Sequence, residues 1–513
     1  MTGPPQPGRS PDPAGPAGAL DPIALAVALG GLRAACEEMG AVLVRAAHSP
    51  NIKERRDASC AVFDPSGQMI MQAEHIPVHL GAMPAAVAAV LDGPHAPGRS
   101  FILNDPFSGG THLPDITLVT PAYSGDRLLG FAATRAHHAD VGGRLPGSMP
   151  ADSQSLAEEG VLIEPQPLQQ NTIEKLIARM RQPAERRADL RAQQAANELG
   201  VRRLQELAER IGPDGLAAAA AQVIAYAERR TRACIAALPD GVRLAVDLLE
   251  APEGDLELRL RVTVDGDRLT LDFTGSAAQH PGNLNCPLAV THSACYYAAR
   301  VLTDPDIPPS AGAHRPIQVI APPGSILNAR RPAAVAAGNV ETSSRVADLV
   351  LGAFGMALGQ GTMNNLTLGN DDFSYYETIG GGQGACPDAD GPSGVHVAMS
   401  NTLNTPVEAL ERAYPVRVVR SEVRRGSGGR GAHDGGDGIV RELEALEPMT
   451  YSLIAERRRH PPPGAAGGQS GSRGSDRLNG SAIPGKSTGT LQAGDRLRIE
   501  TPGGGGYGRP DAP

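Results

Sequence analysis

The strongest constraint on how this chain can fold is a pair of apolar, β-branched runs joined through a short polar turn. Ile116-Thr117-Leu118-Val119-Thr120 and the stretch Leu128 to Thr134 have the length and composition of strands, and Ser124-Gly125-Asp126-Arg127 between them is turn chemistry. Together they predict an antiparallel hairpin, in which the start of one strand lies beside the end of the other. Those ends carry Thr111-His112-Leu113-Pro114-Asp115 and Arg135-Ala136-His137-His138-Ala139-Asp140-Val141-Gly142-Gly143. The hairpin therefore predicts convergence of His112, Asp115 and either His137 or His138.

Imidazole mixed with carboxylate suits zinc, manganese or iron, whereas structural zinc prefers thiolates in a closed shell. Cys36, Cys60, Cys234, Cys286, Cys295 and Cys386 are scattered with no Cys-x-x-Cys, which argues against a thiolate site. Strand-end His and Asp residues also cap turns and bond backbone amides. Two such clusters on one hairpin bring a metal site level with that alternative.

At 513 residues the chain is long enough for about three domains with sizeable cores. Its 62 glycines and 45 prolines imply many turns and much irregular backbone. A net charge of −9, 3% aromatics and no tryptophan argue against nucleic acid, which needs basic surface and stacking platforms. Met1 to Leu20 is rich in Pro, Gly and Ala without a basic region and an apolar core, so it reads as a disordered lead, not a secretory signal. No apolar run is long enough to span a bilayer, which predicts no membrane association. Cysteines without a pairing pattern and without an export signal fit the cytoplasm.

The organisation read from periodicity is α+β and multi-lobed: β-hairpin and meander cores, a helical insertion and a glycine-rich β region at the C-terminal side. Residues 1–20 are the lead and 21–170 an α+β region holding the hairpin. Within it, Asp21 and Pro22 open a helix with Ile23, Leu25, Val27, Leu29, Leu32, Met39, Val42 and Val44 as its apolar face. Ser59 to Phe63 and Gln68 to Ala73 are strands about an Asp64-Pro65-Ser66-Gly67 turn, and Leu80 to Leu91 is helical. Residues 171–238 read as a helical subdomain. Residues 239–378 hold a meander over Val242 to Phe273, turning at Asp265-Gly266-Asp267, and helices over Thr291 to Leu302 and Val340 to Leu358. Residues 379–513 are glycine-rich β and loop.

That last region contains Gly480-Ser481-Ala482-Ile483-Pro484-Gly485-Lys486-Ser487, which satisfies the phosphate-loop pattern. The mechanism behind the pattern needs a buried strand before the loop and a helix after it. Here Gly471 to Asn479 is polar and Thr488-Gly489-Thr490 follows, so no nucleotide site is expected in this chain. Gly503 to Gly508 and Gly380 to Gly384 likewise lack a helix behind them and are expected to serve tight backbone packing.

Several segments taken together resemble the B component of the hydantoinase/oxoprolinase family, over about Asp21 to Gly508. They are Ser49-Pro50-Asn51-Ile52-Lys53-Glu54-Arg55-Arg56-Asp57, His75-Ile76-Pro77-Val78-His79-Leu80-Gly81, Asn104 to Asp115, His137 to Gly143, Gly338-Asn339-Val340-Glu341-Thr342-Ser343, Tyr375-Tyr376-Glu377-Thr378, Asn401-Thr402-Leu403-Asn404-Thr405 and Thr501 to Gly508. The resemblance implies a hydrolase of cyclic amides (hydantoins, 5-oxoproline or related lactams) that works in a hetero-oligomer with a separate ATP-binding A subunit. It implies that ATP phosphorylates the amide oxygen and that the activated intermediate is hydrolysed at a divalent metal site in the B component.

The family's metal ligands fall on Asp57, His112, Asp115 and His137. Asp57 enters by resemblance alone, because an Asp after Glu54-Arg55-Arg56 otherwise reads as a surface salt-bridge partner. The resemblance makes His138 and Asp140 outer-shell groups, while Glu159 is a candidate general base of a kind usually solvated in loops. His75 and His79 have either a substrate or a buried structural role. Ser310-Ala311-Gly312 and Ala329-Arg330-Arg331 depart from the family's usual pattern and bear on substrate or interface. The rival readings are a subunit of an acetone- or acetophenone-type ketone carboxylase and a non-catalytic scaffold for the A subunit.

Overall fold

The computed structural model describes residues 21–74, 76–400 and 402–510, so the expected lead 1–20, His75 and Asn401 lie outside the described residues. Asp21 caps the first helix, Pro22–Ala46, with its carboxylate accepting from the Ile23 and Ala24 amides at 2.8 and 2.9 Å, and Pro22 occupies the first turn. The buried face is Ala28, Leu32, Cys36, Met39 and Leu43, while Ile23 and Val27 are 78% and 66% exposed. The stripe therefore includes small residues that a search for large apolar side chains passes over.

The four expected strands are joined by two short ones that the sequence reading does not mark, β3 and β6, in a six-stranded sheet: β1 (Ala58–Phe63), β2 (Met69–Glu74), β3 (Phe101–Leu103), β4 (Asp115–Ser124), β5 (Arg127–His137) and β6 (Gln166–Pro167), in the order β2-β1-β5-β4-β3-β6. β4 and β5 pair antiparallel with Asp115 opposite His137. Both faces of β5 are covered, and its side chains alternate between two cores. Ala132 and Ala136 join Leu32, Met39, Ala196 and Leu204 under the first helix and the long helix Pro183–Ile211, while Phe131 and Ala133 join Met83, Val87 and Val119 on the other face. The helix over Leu80 to Leu91 is shorter than expected, Ala82–Ala88, after a 3₁₀ turn at Pro77–His79.

Residues 172 to 238 are helical as read, in Gln170–Ile177, Pro183–Ile211 and Pro213–Ala236, with Gly212 breaking between the last two. The long middle helix is tied to the sheet: Gln193 Nε2 donates to Ile116 O at 2.9 Å and Asn197 Nδ2 to Leu118 O at 3.1 Å. The meander appears as β7 (Gly241–Ala251), β8 (Gly254–Asp265) and β9 (Arg268–Asp272), extended by β10 (Ile317–Ile320) parallel to β9. The helices Leu288–Leu302 and Ser343–Ala353 share its core. The second is entered through a π turn at Gly338–Thr342, an irregularity that apolar periodicity does not encode.

The remaining strands are β11 (Asn365–Gly369), β12 (Ser374–Glu377), β13 (Val416–Arg424), β14 (Gly438–Ala445), β15 (Met449–Ile454), β16 (Ser475–Leu478), β17 (Ser481–Ile483), β18 (Lys486–Leu491) and β19 (Arg496–Glu500). They make two sheets, β12-β11-β15-β18 and β13-β14-β19-β16-β17. Gly480 to Ser487 crosses from β17 in one sheet to β18 in the other, with strand and not helix after it. Lys486 Nζ donates to Glu250 O at 2.7 Å and pairs with Glu456. Among the described residues no helix is long and apolar enough to cross a membrane.

The glycine-rich segments pack backbone against backbone. Gly382 N donates to Pro502 O, Gly436 N to Gln383 O and Gly504 N to Gly436 O, at 3.0, 2.9 and 2.8 Å. A Cβ on Gly504 would stand 2.0 Å from Gln383 O. Gly504→Ala is therefore expected to destabilise the protein by about 3 kcal/mol. Gly30→Ala, in the first helix with no atom within 4 Å of the added carbon, should stabilise it by about 0.5–1 kcal/mol. Chemical denaturation of both variants checks the contrast, and equal effects would refute the packing account.

Candidate metal centre

Antiparallel pairing puts four chain segments at one end of the first sheet: the end of β2, the start of β1, the end of β5 and the start of β4. His79 follows β2, Asp57 precedes β1, His137 closes β5 and Asp115 opens β4. All four are buried, with His112 three residues ahead of Asp115.

His112, Asp115 and His137 form a cluster whose ligand atoms lie within 4.8 Å of one another. His112 Nε2, His137 Nδ1 and Asp115 Oδ1 are mutually 3.2 Å apart. Two donors on a tetrahedral ion with bonds of about 2.0–2.1 Å are separated by about 3.4 Å, so this triangle has the size of one face of such a shell. Asp115 is oriented by its other oxygen, Oδ2, which accepts from the Thr111 hydroxyl and from His79 Nε2 at 3.3 Å. The carboxylate can only accept, so His79 carries a proton on Nε2, and its Nδ1 meets Ser59 Oγ at 2.9 Å. Among the described residues His112 Nδ1 and His137 Nε2 have no hydrogen-bond partner.

Burial alone would raise Asp115. The His112, His137 and His79 imidazoles outweigh it and hold the carboxyl well below the usual range. Burial pulls His137 below its ordinary value. An anionic Asp115 carboxylate beside two imidazoles is donor chemistry that suits a cation.

Asp57 is not at the surface: its backbone oxygen accepts from His137 N at 3.1 Å and its carboxylate is buried beside the His137 ring, outside the three-residue cluster. Arg55, two residues before it, is also fully buried, donating to Tyr376 O, Thr378 Oγ1 and Thr402 Oγ1 at 2.9, 3.0 and 3.3 Å. Its guanidinium lies 4.6 Å from the Tyr376 ring centre, and that ring stacks on His137 at 4.3 Å. The run Glu54-Arg55-Arg56-Asp57 looks like solvated surface in sequence because its partners come from β12 and residue 402. Arg55 and Tyr376 stand inside segments that resemble the family, yet no spacing rule singles them out.

His138 turns away from the cluster, its Nε2 2.9 Å from Gln193 Oε1, and burial lowers it to about 4. Asp140 accepts from the amides of Gly142, Gly147 and Arg181 and from Arg181 Nη1, an organiser of its own loop. Glu159 is not solvated: it is fully buried, its carboxylate accepting from Ser153 Oγ and from the Val335 and Ala336 amides at 2.9 to 3.1 Å. Burial pushes it up to about 7.

A model of the family described as hydantoinase B/oxoprolinase matches residues 21–510. The chain belongs to the hydantoinase B/oxoprolinase family. It is 41% identical to 5-oxoprolinase 1 of Arabidopsis thaliana over 92% of this chain and 40% of that protein. It is 30% identical to the putative B component of a D-/L-hydantoinase from Pseudomonas sp. strain NS671, over 96% of this chain and 90% of that one. The chain thus spans about 40% of the length of the first 5-oxoprolinase relatives it matches. Its fold superposes on an ATP-dependent caprolactamase from Pseudomonas jessenii with a TM-score of 0.89 and 28% identity, over 96% of this chain and 92% of that one. It shares the fold of an acetone carboxylase with a TM-score of 0.82 at 19% identity, covering 95% and 76% of the two chains.

The raised value of Glu159 has a consequence for stability in this family member. Between the unfolded value of 4.5 and the folded value of about 7 the native state binds the extra proton, so stability falls as pH rises across that window. The loss relative to Glu159→Gln should reach about 3 kcal/mol. Denaturation of both proteins at pH 5 and pH 8 measures it; parallel pH dependences would rule it out.

Proposed function

We propose that this chain is the metal-binding, hydrolytic component of an ATP-dependent cyclic amide hydrolase acting on hydantoins, 5-oxoproline or related lactams. In this reading ATP is bound by a separate A-type subunit in a cytoplasmic hetero-oligomer. The observation that carries it is the 3.2 Å triangle of His112 Nε2, His137 Nδ1 and Asp115 Oδ1, a buried donor set sized for a divalent ion. The 28% identity to a caprolactamase over nearly the whole chain supports the substrate class, and the relative named as one component of a hydantoinase supports a companion chain.

Zinc, manganese or iron held by His112, Asp115 and His137, with Asp57 beside them, would lower the pKa of water to about 7 and stabilise negative charge developing on the amide carbon's oxygen. The protein residues prepare that site. Asp115 supplies the charge through Oδ1 because Thr111 and His79 occupy Oδ2. Tyr376, stacked on His137 and held through its hydroxyl by Asn365 Nδ2 at 2.8 Å, fixes the imidazole plane. Glu159 ties Ser153 and the helical turn Leu156–Glu159 to the Val335 and Ala336 amides. His138 and Asp140 hold the segment after β5 against the long helix and Arg181.

Two measurements test this. The first is phosphate release by the complex with its A-type companion, offered hydantoin, 5-oxoproline or caprolactam against acetone with bicarbonate. Release with the cyclic amides is expected; release only with ketone and bicarbonate would move the chain to the carboxylase branch. The second is elemental analysis, which should find about one equivalent of Zn, Mn or Fe per chain. That equivalent should be lost in His112→Ala and in Asp115→Asn, with activity falling at least 10²-fold, about 2.7 kcal/mol or more of barrier. Metal-free protein of full activity would instead identify a scaffold.

A further inference from the structure

In the meander sheet, β8 and β9 turn Leu258, Leu260, Val262, Val264, Leu269 and Leu271 into the core shared with the helices Leu288–Leu302 and Ser343–Ala353. The first half of β7 does the reverse. The antiparallel register sets Arg243, Ala245 and Asp247 opposite Val262, Leu260 and Leu258, so those three stand on the core face. Asp247 is fixed there by Arg345 and Arg457 at 3.1 and 2.8 Å, and the Arg243 guanidinium lies 4.8 Å from the Phe354 ring centre. Val242, Leu244 and Val246 consequently point to the outer face, where they are 54%, 70% and 59% exposed.

β7 is also an edge of that sheet, whose order is β10-β9-β8-β7. The two-residue turn Pro252-Glu253 makes Ala251 and Gly254 a hydrogen-bonded pair, and alternation from there turns the backbone N–H and C=O of the even-numbered residues of β7 away from β8. Near the hairpin these outward groups are capped by side chains. Glu250 N donates to Glu456 Oε1 at 3.1 Å, Glu250 O accepts from Lys486 Nζ at 2.7 Å and Leu248 N donates to Asp247 Oδ1 at 2.8 Å. Among the described residues the outward groups of Val242, Leu244 and Val246 have no such partner. The edge strand β13, by contrast, presents Arg417, Arg420 and Glu422 to solvent, the kind of charge that keeps an edge from pairing with another chain. In β7 unused ladder groups and exposed apolar side chains fall on the same three residues.

The segment that fits such an edge is the edge itself. A second β7 laid antiparallel with Leu244 on a two-fold axis pairs Leu244 with its own copy, and Val242 with Val246 in both directions. All three are outward-pointing residues, so every one of these pairs is a hydrogen-bonded pair, and their side chains close into one apolar ridge. Charge agrees with this register. The outer-face neighbours on β8 are Thr263, Arg261 and Arg259, so the arginines of the two copies stay three strand spacings apart, about 14 Å.

We propose that the first half of β7 is a homodimer interface, through which two copies of this chain join their four-stranded sheets into one continuous sheet. The pairing is independent of the chemistry at the metal centre. So short a strand buries less than a standard interface, and the dimer is expected to be weak, with a Kd on the order of micromolar.

Sedimentation velocity of the purified full-length chain between about 0.5 and about 100 µM tests this, and the mass should move from monomer to dimer across that range. Leu244→Lys and Leu244→Asp each set like charges against one another on the axis. Each should weaken dimerisation about a hundredfold, with the circular dichroism spectrum unchanged because the side chain is exposed. An equimolar mixture of the two variants should recover the dimer, because residue 244 meets itself in this register. A chain that stays monomeric throughout overturns the proposal, and loss of the A-type companion from Leu244→Lys would then assign the edge to that companion. Dimers that both variants leave intact, or a mixture that stays monomeric, overturn it as well.

Discussion

The pairing of β4 with β5 in the register that sets Asp115 opposite His137 is the constraint on which the rest depends. Side chains alternate along a strand, so a slip of either strand by one residue would send its own group to the opposite face, the face of Ala132 and Ala136 under the helices, and part the two. The register also carries Arg135 and Thr117 onto the same face, where Arg135 Nε donates to Thr117 Oγ1 at 2.8 Å and a second nitrogen reaches Gly109 O. One ladder of backbone bonds thus positions a carboxylate, an imidazole and the loop ahead of His112. The neighbouring β1–β5 pairing adds Asp57 at the same end of the sheet.

Burial then determines the electrostatics. In a dry setting an unpaired charge is costly, and the structure answers by matching charged groups across distant segments. A second buried network shows this away from the first sheet. Arg345 reaches Asp247 at 3.1 Å and Glu456 at 3.1 Å, Arg457 reaches Asp247 and Asp348 at 2.8 and 2.7 Å, and Lys486 pairs with Glu456. These contacts lock β7, the helix Ser343–Ala353 and the segment after β15 together. They also account for the lysine of the phosphate-loop look-alike, which serves an internal ion pair.

Much of the fold was legible locally. Asp21 and Pro22 marked a helix start, Asp64 to Gly67 and Ser124 to Arg127 marked turns, and alternation over Leu256 to Phe273 marked the meander, because caps, turn chemistry and period depend on neighbours in sequence. The glycine runs were rightly read as packing elements, since a Cβ there would strike backbone carbonyls. The π turn before Ser343 and the true buried stripe of the first helix escaped, because both are settled by what packs against them.

For the candidate site, the sequence alone determined that His112, Asp115 and one of two histidines would meet, because strand alternation and a short turn leave little freedom. Family resemblance added Asp57. Only the tertiary structure decided between His137 and His138, sending one to the cluster and the other to Gln193 on a helix 55 residues further along the chain. It alone revealed His79 on Asp115, Tyr376 on His137 and Arg55 beneath them. Those contacts join residues up to 321 positions apart in the chain, and neither local propensity nor charge pattern records which remote segments burial brings face to face.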